Sequence, residues 1–198
     1  MDLMGPMQVE STGGRRYIFV CVDDFSRYTW VEFHKEKSDT FNIFEKLCLR
    51  LKNEKAVNIE KIVRIRSDHG KEFENTTFTN FYNKHGITHE FSAPKTLQQN
   101  GVVERKNRTL QEIAQVMLNS KKLSSRLWAE AVNSVCYTIN MVYLRPGTTK
   151  TPYEIWKGKK PNFSHFHIFG CICYILNDKE QLGKCQPKSD KGVFLVIP

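Results

Sequence analysis

The sequence has no Cys-x-x-Cys pair. Its six cysteines, Cys21, Cys48, Cys136, Cys171, Cys173 and Cys185, are scattered, most of them inside apolar runs. This spacing argues against a disulfide framework and for buried thiols in a reducing compartment. No apolar run approaches the length of a membrane span, and residues 1–6 carry neither a charged lead nor an apolar signal core. The expectation is a non-secreted protein of nucleus and cytoplasm with no membrane partner. Internal repeats and low-complexity tracts are also lacking, which sets solenoids and disordered tails aside. Acid is scarce relative to base: 21 Asp and Glu against 30 Lys and Arg give a net charge of +9. A surplus of that sign points to a polyanionic partner without naming one. With 198 residues, 40% of them hydrophobic, the chain can bury the core of one domain, with room for a small appendage.

The informative stretch is residues 64–109. A short β-prone run, Ile62-Val63-Arg64-Ile65-Arg66, stops at Ser67-Asp68-His69-Gly70 and leaves Asp68 just past a strand end. Farther on, Gln98-Gln99-Asn100-Gly101 has loop chemistry and Val102-Val103-Glu104-Arg105-Lys106 enters a helix. Thirty-five residues separate Asp68 from Glu104. Two acids on different elements, ringed by Arg and Lys, suit metal-held chemistry on a phosphate backbone. Hard divalent cations take carboxylate oxygens, and a pair of them clamps both oxygens of an in-line displacement.

In chain order, Asp2-Leu3-Met4 reads as the end of a strand, broken by Gly5-Pro6. Residues 16–22 form an apolar run fit for a doubly covered strand, and residues 28–33 a third strand across the Asp23–Arg27 turn. A helix follows over residues 40–52, capped by Ser38-Asp39. A short helix centred on residues 79–84 has Glu72 and Glu74 at its opening, where negative charge suits the dipole. A brief strand covers 87–91, the Glu104 helix comes next, and a long helix runs from Ser124-Ser125 to about residue 142. Thr151-Pro152 begins one more helical turn. The run 157–161 is a boundary, beyond which 166–176 and 192–197 read as β. Both ends read as cut within strands.

Four stretches together resemble the integrases of copia-type LTR retrotransposons, within the retroviral integrase superfamily. They are residues 2–7 (Asp-Leu-Met-Gly-Pro-Met), 23–27 (Asp-Asp-Phe-Ser-Arg), 66–73 (Arg-Ser-Asp-His-Gly-Lys-Glu-Phe) and 98–109, which holds Glu104-Arg105-Lys106-Asn107-Arg108. The resemblance implies an α/β, RNase H-like fold: a mixed five-stranded sheet flanked by helices over residues 1–160, then the truncated start of an SH3-like β-barrel over 161–198. It implies a D-D-35-E triad at Asp2, Asp68 and Glu104, holding two Mg²⁺ or Mn²⁺ ions. It implies DNA contacts at Asn100, Lys106, Asn107, Arg108 and Gln111. Retroelement ends and target DNA are the implied partners, in a homo-oligomer when active. The sequence departs from the family pattern at His69, Lys71, Leu97 and Val196, and the amino-terminal zinc module of such proteins is absent from it.

Blander readings apply elsewhere. Asp23 and Asp24 suit a hairpin turn whose Asx side chain accepts backbone N–H bonds. His165, His167, Cys171 and Cys173 share one face of an extended strand. At the usual rise His167 and Cys171 are then roughly 13 Å apart, too far for one zinc. The functional expectation is a polynucleotidyl transferase that cuts 3′ ends and joins them to target DNA. Its alternative is a catalytically inactive, DNA-binding remnant.

Overall fold

A computed structural model of the chain describes residues 1–55, 62–92, 101–176 and 188–195. Strands β1 (Asp2–Met4), β2 (Tyr17–Val22) and β3 (Thr29–His34) form an antiparallel sheet in that order. Asp2 lies opposite Val20, and Val20 opposite Val31. Successive strand side chains point to opposite faces, so the unbroken apolar run of β2 feeds two cores. Ile18 and Val20 enter one core with Val103, Leu110 and Ala114 of α3 (Gly101–Ser120) and Val135 and Ile139 of α4 (Trp128–Val142). Phe19 enters the other, among Phe44, Leu47 and Cys48 of α1 (Thr40–Lys55) and Phe78 and Phe81 of α2 (Thr76–His85). All three β2 residues are fully buried. The doubly covered central strand is thus observed.

β4 (Arg64–Ser67) and β5 (Thr88–Phe91) pair in parallel through α2, with Ser67 opposite Phe91. The single five-stranded sheet expected from the sequence is not formed as one ladder. Three-stranded and two-stranded sheets stand beside each other, and the Met1 amino group donates to the Arg66 carbonyl at 2.6 Å between them. The cause is the brevity of β1. Gly5, at φ 130°, turns the chain away toward Arg16, where a Cβ would lie 2.7 Å from the Arg16 carbonyl oxygen. Too few residues therefore run alongside β4 to build a ladder.

α2 begins later than its acids suggested. Asn75, not Glu72 or Glu74, is the cap: its Oδ1 accepts from Phe78 N at 3.0 Å, and both glutamates precede the helix. A left-handed Gly86 at φ 64° closes it, a conformation glycine adopts at no steric cost. The helix α5 (Pro152–Lys157) carries a complete capping box between Thr151 and Glu154, with Pro152 in its first turn. Its Trp156 packs edge-on against Trp30 of β3.

After α5 the chain places Phe169 in the α3–α4 core, turns at Gly170 (φ 76°), and forms an antiparallel pair of β6 (Ile172–Leu176) and β7 (Ser189–Val193). The turn at Gly170 is why β6 starts later than residue 166. Ser134 of α4 donates its hydroxyl to the Leu195 carbonyl at 2.7 Å. Among the described residues this antiparallel pair is the β structure beyond residue 160. No helix among them is long and apolar enough to cross a membrane.

Candidate active site

Asp2 opens β1 and is half-buried. Its Oδ1 accepts from Leu3 N at 2.8 Å and its Oδ2 from Asn107 Nδ2 at 2.6 Å. Asp68 directly follows β4 and is also half-buried, its Oδ1 accepting from Gly70 N at 3.2 Å. The backbone around it is tied down. Ser67 Oγ donates to the Asp68 carbonyl at 2.9 Å and bonds His89 Nε2 at 2.9 Å. Glu104 lies exposed in the first turn of α3, where the exposed N–H groups of a helix start favour a carboxylate.

Burial raises the Asp2 carboxyl above the ordinary aspartate range. The negative charges of Asp68 and Glu104 push the same way, against the Leu3 amide and the terminal ammonium. The two other acids therefore act on Asp2 through their fields. They do not close on one point: among the described residues no three His, Cys, Asp or Glu side chains are gathered for a single ion. That covers His165, His167, Cys171 and Cys173 as well.

The residues expected to touch DNA divide into groups. Arg108 and Gln111 are exposed and, at 100° per residue, lie within about 40° of Glu104 around the α3 axis. Gln111 Nε2 also donates to Met4 Sδ at 3.3 Å. Asn107 differs from the sequence expectation. It is only 6% exposed, because it shares the side of α3 that Val103 and Leu110 bury, and its amide is committed to Asp2. Among the described residues its buried Oδ1 has no hydrogen-bond partner. Lys106 differs too. It lies about 160° around the axis from Glu104 and lines a separate concavity with Arg27, Arg105 and Arg145. Burial pushes its ammonium below the ordinary lysine value; Arg27 adds to this and Cys136 opposes it. Asn100 lies outside the described residues.

The alternative acids keep structural roles. Asp23 Oδ2 accepts from both the backbone N and the hydroxyl of Ser26, at 2.7 and 2.6 Å. Asp24 pairs with Arg27 at 2.5 Å. An apolar cavity of about 310 Å³ between α1 and β4 is lined by Trp30, Phe44 and Trp156 but by none of Asp2, Asp68 and Glu104. The position of Asn107 was the residue role that sequence reasoning missed. Its signal was the helical phase, which sets it about 40° from Val103 and inside the apolar stripe.

Residues 1–96 match the family described as Integrase core domain. The chain is 38% identical over 194 residues to the Retrovirus-related Pol polyprotein from transposon TNT 1-94 of Nicotiana tabacum, covering 98% of this chain and 14% of that one. The corresponding polyprotein from transposon RE2 of Arabidopsis thaliana is 32% identical over 183 residues, 91% of this chain and 12% of the relative. The chain thus spans about one seventh or less of these relatives. Among solved structures, the HTLV-2 integrase catalytic core domain in complex with magnesium superposes with a TM-score of 0.55 at 21% identity, covering 78% of this chain and 94% of that one. A chain of the simian T-cell lymphotropic virus intasome in complex with PP2A regulatory subunit B56 gamma gives 0.60 at 16% identity, over 97% of this chain and 66% of that one.

Proposed function

From the premise that this chain carries the integrase core domain of a retrotransposon Pol polyprotein, we propose that it is the catalytic part that trims DNA 3′ ends and joins them to target DNA. The observation that supports this most is the state of Asp2: half-buried, oriented by Asn107, and raised in pKa first by burial and then by the charges of Asp68 and Glu104. The donor set fits a hard divalent cation, since it offers carboxylate oxygens whose mutual repulsion a bound cation would reverse. Asp2, Asp68 and Glu104 would hold Mg²⁺ or Mn²⁺, which when bound supplies the charge that activates an attacking hydroxyl and neutralises the phosphate's developing charge.

The chain's own groups do the rest. Asn107 holds one Asp2 oxygen, so the other side of that carboxylate keeps a fixed direction. Arg108 and Gln111, on the exposed side of α3 with Glu104, bind backbone phosphates and position the reacting strand, a contact that carries no base information. Asn100, which lies outside the described residues, is carried into this reading as a DNA contact on the family resemblance alone. No covalent link between enzyme and DNA is needed. The reading extends to an RNase H-like core over 1–160 and the start of an SH3-like domain over 161–198. It also includes assembly into a homo-oligomer for joining.

The test is a strand-transfer assay on the chain with Mn²⁺ and labelled duplex ends. Native protein should join ends to target DNA. Glu104→Gln should lose joining yet bind DNA equally well or more tightly, because a repulsive carboxylate leaves the phosphate's path. A native chain that binds DNA and joins none of it would make it a DNA-binding remnant and overturn the enzymatic reading.

A further inference from the structure

One strongly charged feature takes no part in that chemistry. A concavity of about 460 Å³ opens between α3, the end of α4 and the β2–β3 turn. Every charged residue lining it is cationic: Arg27, Arg105, Lys106 and Arg145. Lys106 and Arg145 are half-buried in its wall, while Arg105 stands exposed at the rim. Among the described residues, no ion pair joins Arg105, Lys106 or Arg145 to a carboxylate. Only Arg27 has such a partner, Asp24.

Two of the cations are held in place before any ligand arrives. Arg145 donates Nε to the Phe25 carbonyl at 2.5 Å and lies over the Phe25 ring, 5.8 Å from its centre. Arg27 is held at φ 63°, a left-handed conformation that a side-chain-bearing residue keeps only where its surroundings impose it. Gathering like charges and burying a lysine stem without a carboxylate is unfavourable in itself. Such an arrangement is stable to the extent that an anion completes it. Guanidinium forks beside an ammonium match phosphate oxygens.

We propose that this concavity is a second DNA-phosphate site, holding a segment other than the one at the carboxylates. Lys106 and Glu104 lie on opposite sides of a helix that is about 10–12 Å across with its side chains, so no single phosphate can touch both. The identity of the anion rests on the DNA reading above; that an anion binds rests on the concavity alone.

The experiment compares native chain with Lys106→Met, Lys106→Arg and the pair Lys106→Met/Arg145→Gln. Each is tested by fluorescence anisotropy on a labelled duplex across a salt series. Each lost phosphate contact should lower the salt slope by roughly 0.9, so Lys106→Met loses about one unit and the pair about two. Lys106→Arg should keep the native slope. Lys106→Met should melt no lower than native chain, since it removes a poorly solvated charge; this separates lost binding from lost folding. Mn²⁺ binding, read by water-proton relaxation, should be unchanged in all of them.

Unchanged affinity and slope in the double variant overturn the proposal. If pyrophosphate raises the native melting temperature while the variants keep native DNA slopes, the site takes a small free anion and the DNA assignment fails. If Asp68→Asn leaves Mn²⁺ binding intact, the proposed function fails while this inference stands.

Discussion

The contact between Asn107 and Asp2 gives the sharpest prediction, because two substitutions at one position must diverge. Asn107 donates a charge-assisted bond at 2.6 Å to Asp2, and its other amide atom is buried with no partner among the described residues. Asn107→Leu keeps the volume and removes both features. Losing the bond costs about 1.5–3 kcal/mol, and removing the stranded acceptor returns about 1–3 kcal/mol. Net stability should therefore stay within about 1 kcal/mol of native, since the two terms nearly cancel. Metal affinity should not follow. A group that orients a ligating carboxylate is typically worth about 10–100-fold in affinity, so Mn²⁺ should bind more weakly by that factor. Asn107→Asp instead sets two carboxyls in contact, and one must take up a proton or both must move. Breaking buried polar pairing in this way costs about 3 kcal/mol, or about 6–12 °C in melting temperature for a chain of this size. The folded-state pKa of the pair is raised, so this loss should shrink as pH falls and grow as pH rises. Thermal melts at pH 5 and 7.5, with Mn²⁺ titrations, read both effects. Equal stability of Asn107→Asp and native chain at pH 7.5, or native Mn²⁺ affinity in Asn107→Leu, would refute the positioning role.

The other predictions are briefer. Burial raises the Asp2 pKa, so Asp2 contributes stability below its unfolded value and loses it as pH rises through the folded one; Asp2→Asn should flatten that fall and stabilise metal-free protein at neutral pH, as followed by urea midpoints. Arg108→Ala should lower the salt slope of DNA binding by roughly one unit, and an unchanged slope would place the reacting strand elsewhere. Phe78 is fully buried against Phe41, Phe44, Phe73 and Tyr82, so Phe78→Ala should cost about 3–5 kcal/mol in denaturant unfolding. Thr151→Ala should cost about 1 kcal/mol through loss of the α5 capping box.

Local patterns were legible where one period dominated. Ile18-Phe19-Val20 showed a strand covered on both faces, and Phe44, Leu47 and Cys48 showed the buried side of α1. The Asp23 turn was readable because Asx side chains capture nearby backbone amides. Direction was less legible than identity. The family resemblance grouped Lys106 and Asn107 with Arg108 as DNA contacts, yet 100° of rotation per residue sends neighbours to different faces. The acids before α2 misled because Asn75 competes for the same cap and accepts the Phe78 amide. Arg145 gave no signal at all. Its place in the concavity depends on how the end of α4 meets the β2–β3 turn, a meeting of residues 120 positions apart.

The packing of α5 on β3 has an optical consequence. Trp30 and Trp156 stand 4.9 Å apart at 81°, with Tyr28 at 4.9 Å from the first and 5.9 Å from the second. Indole transitions this close and steeply inclined couple, so the folded chain should show a paired positive and negative band in ultraviolet circular dichroism. Trp128 sits elsewhere, edge-on to Phe33, and contributes nothing to that couplet. Undocking α5 would erase the signal while leaving helix content almost unchanged. The chain thus carries its own reporter for the seating of α5.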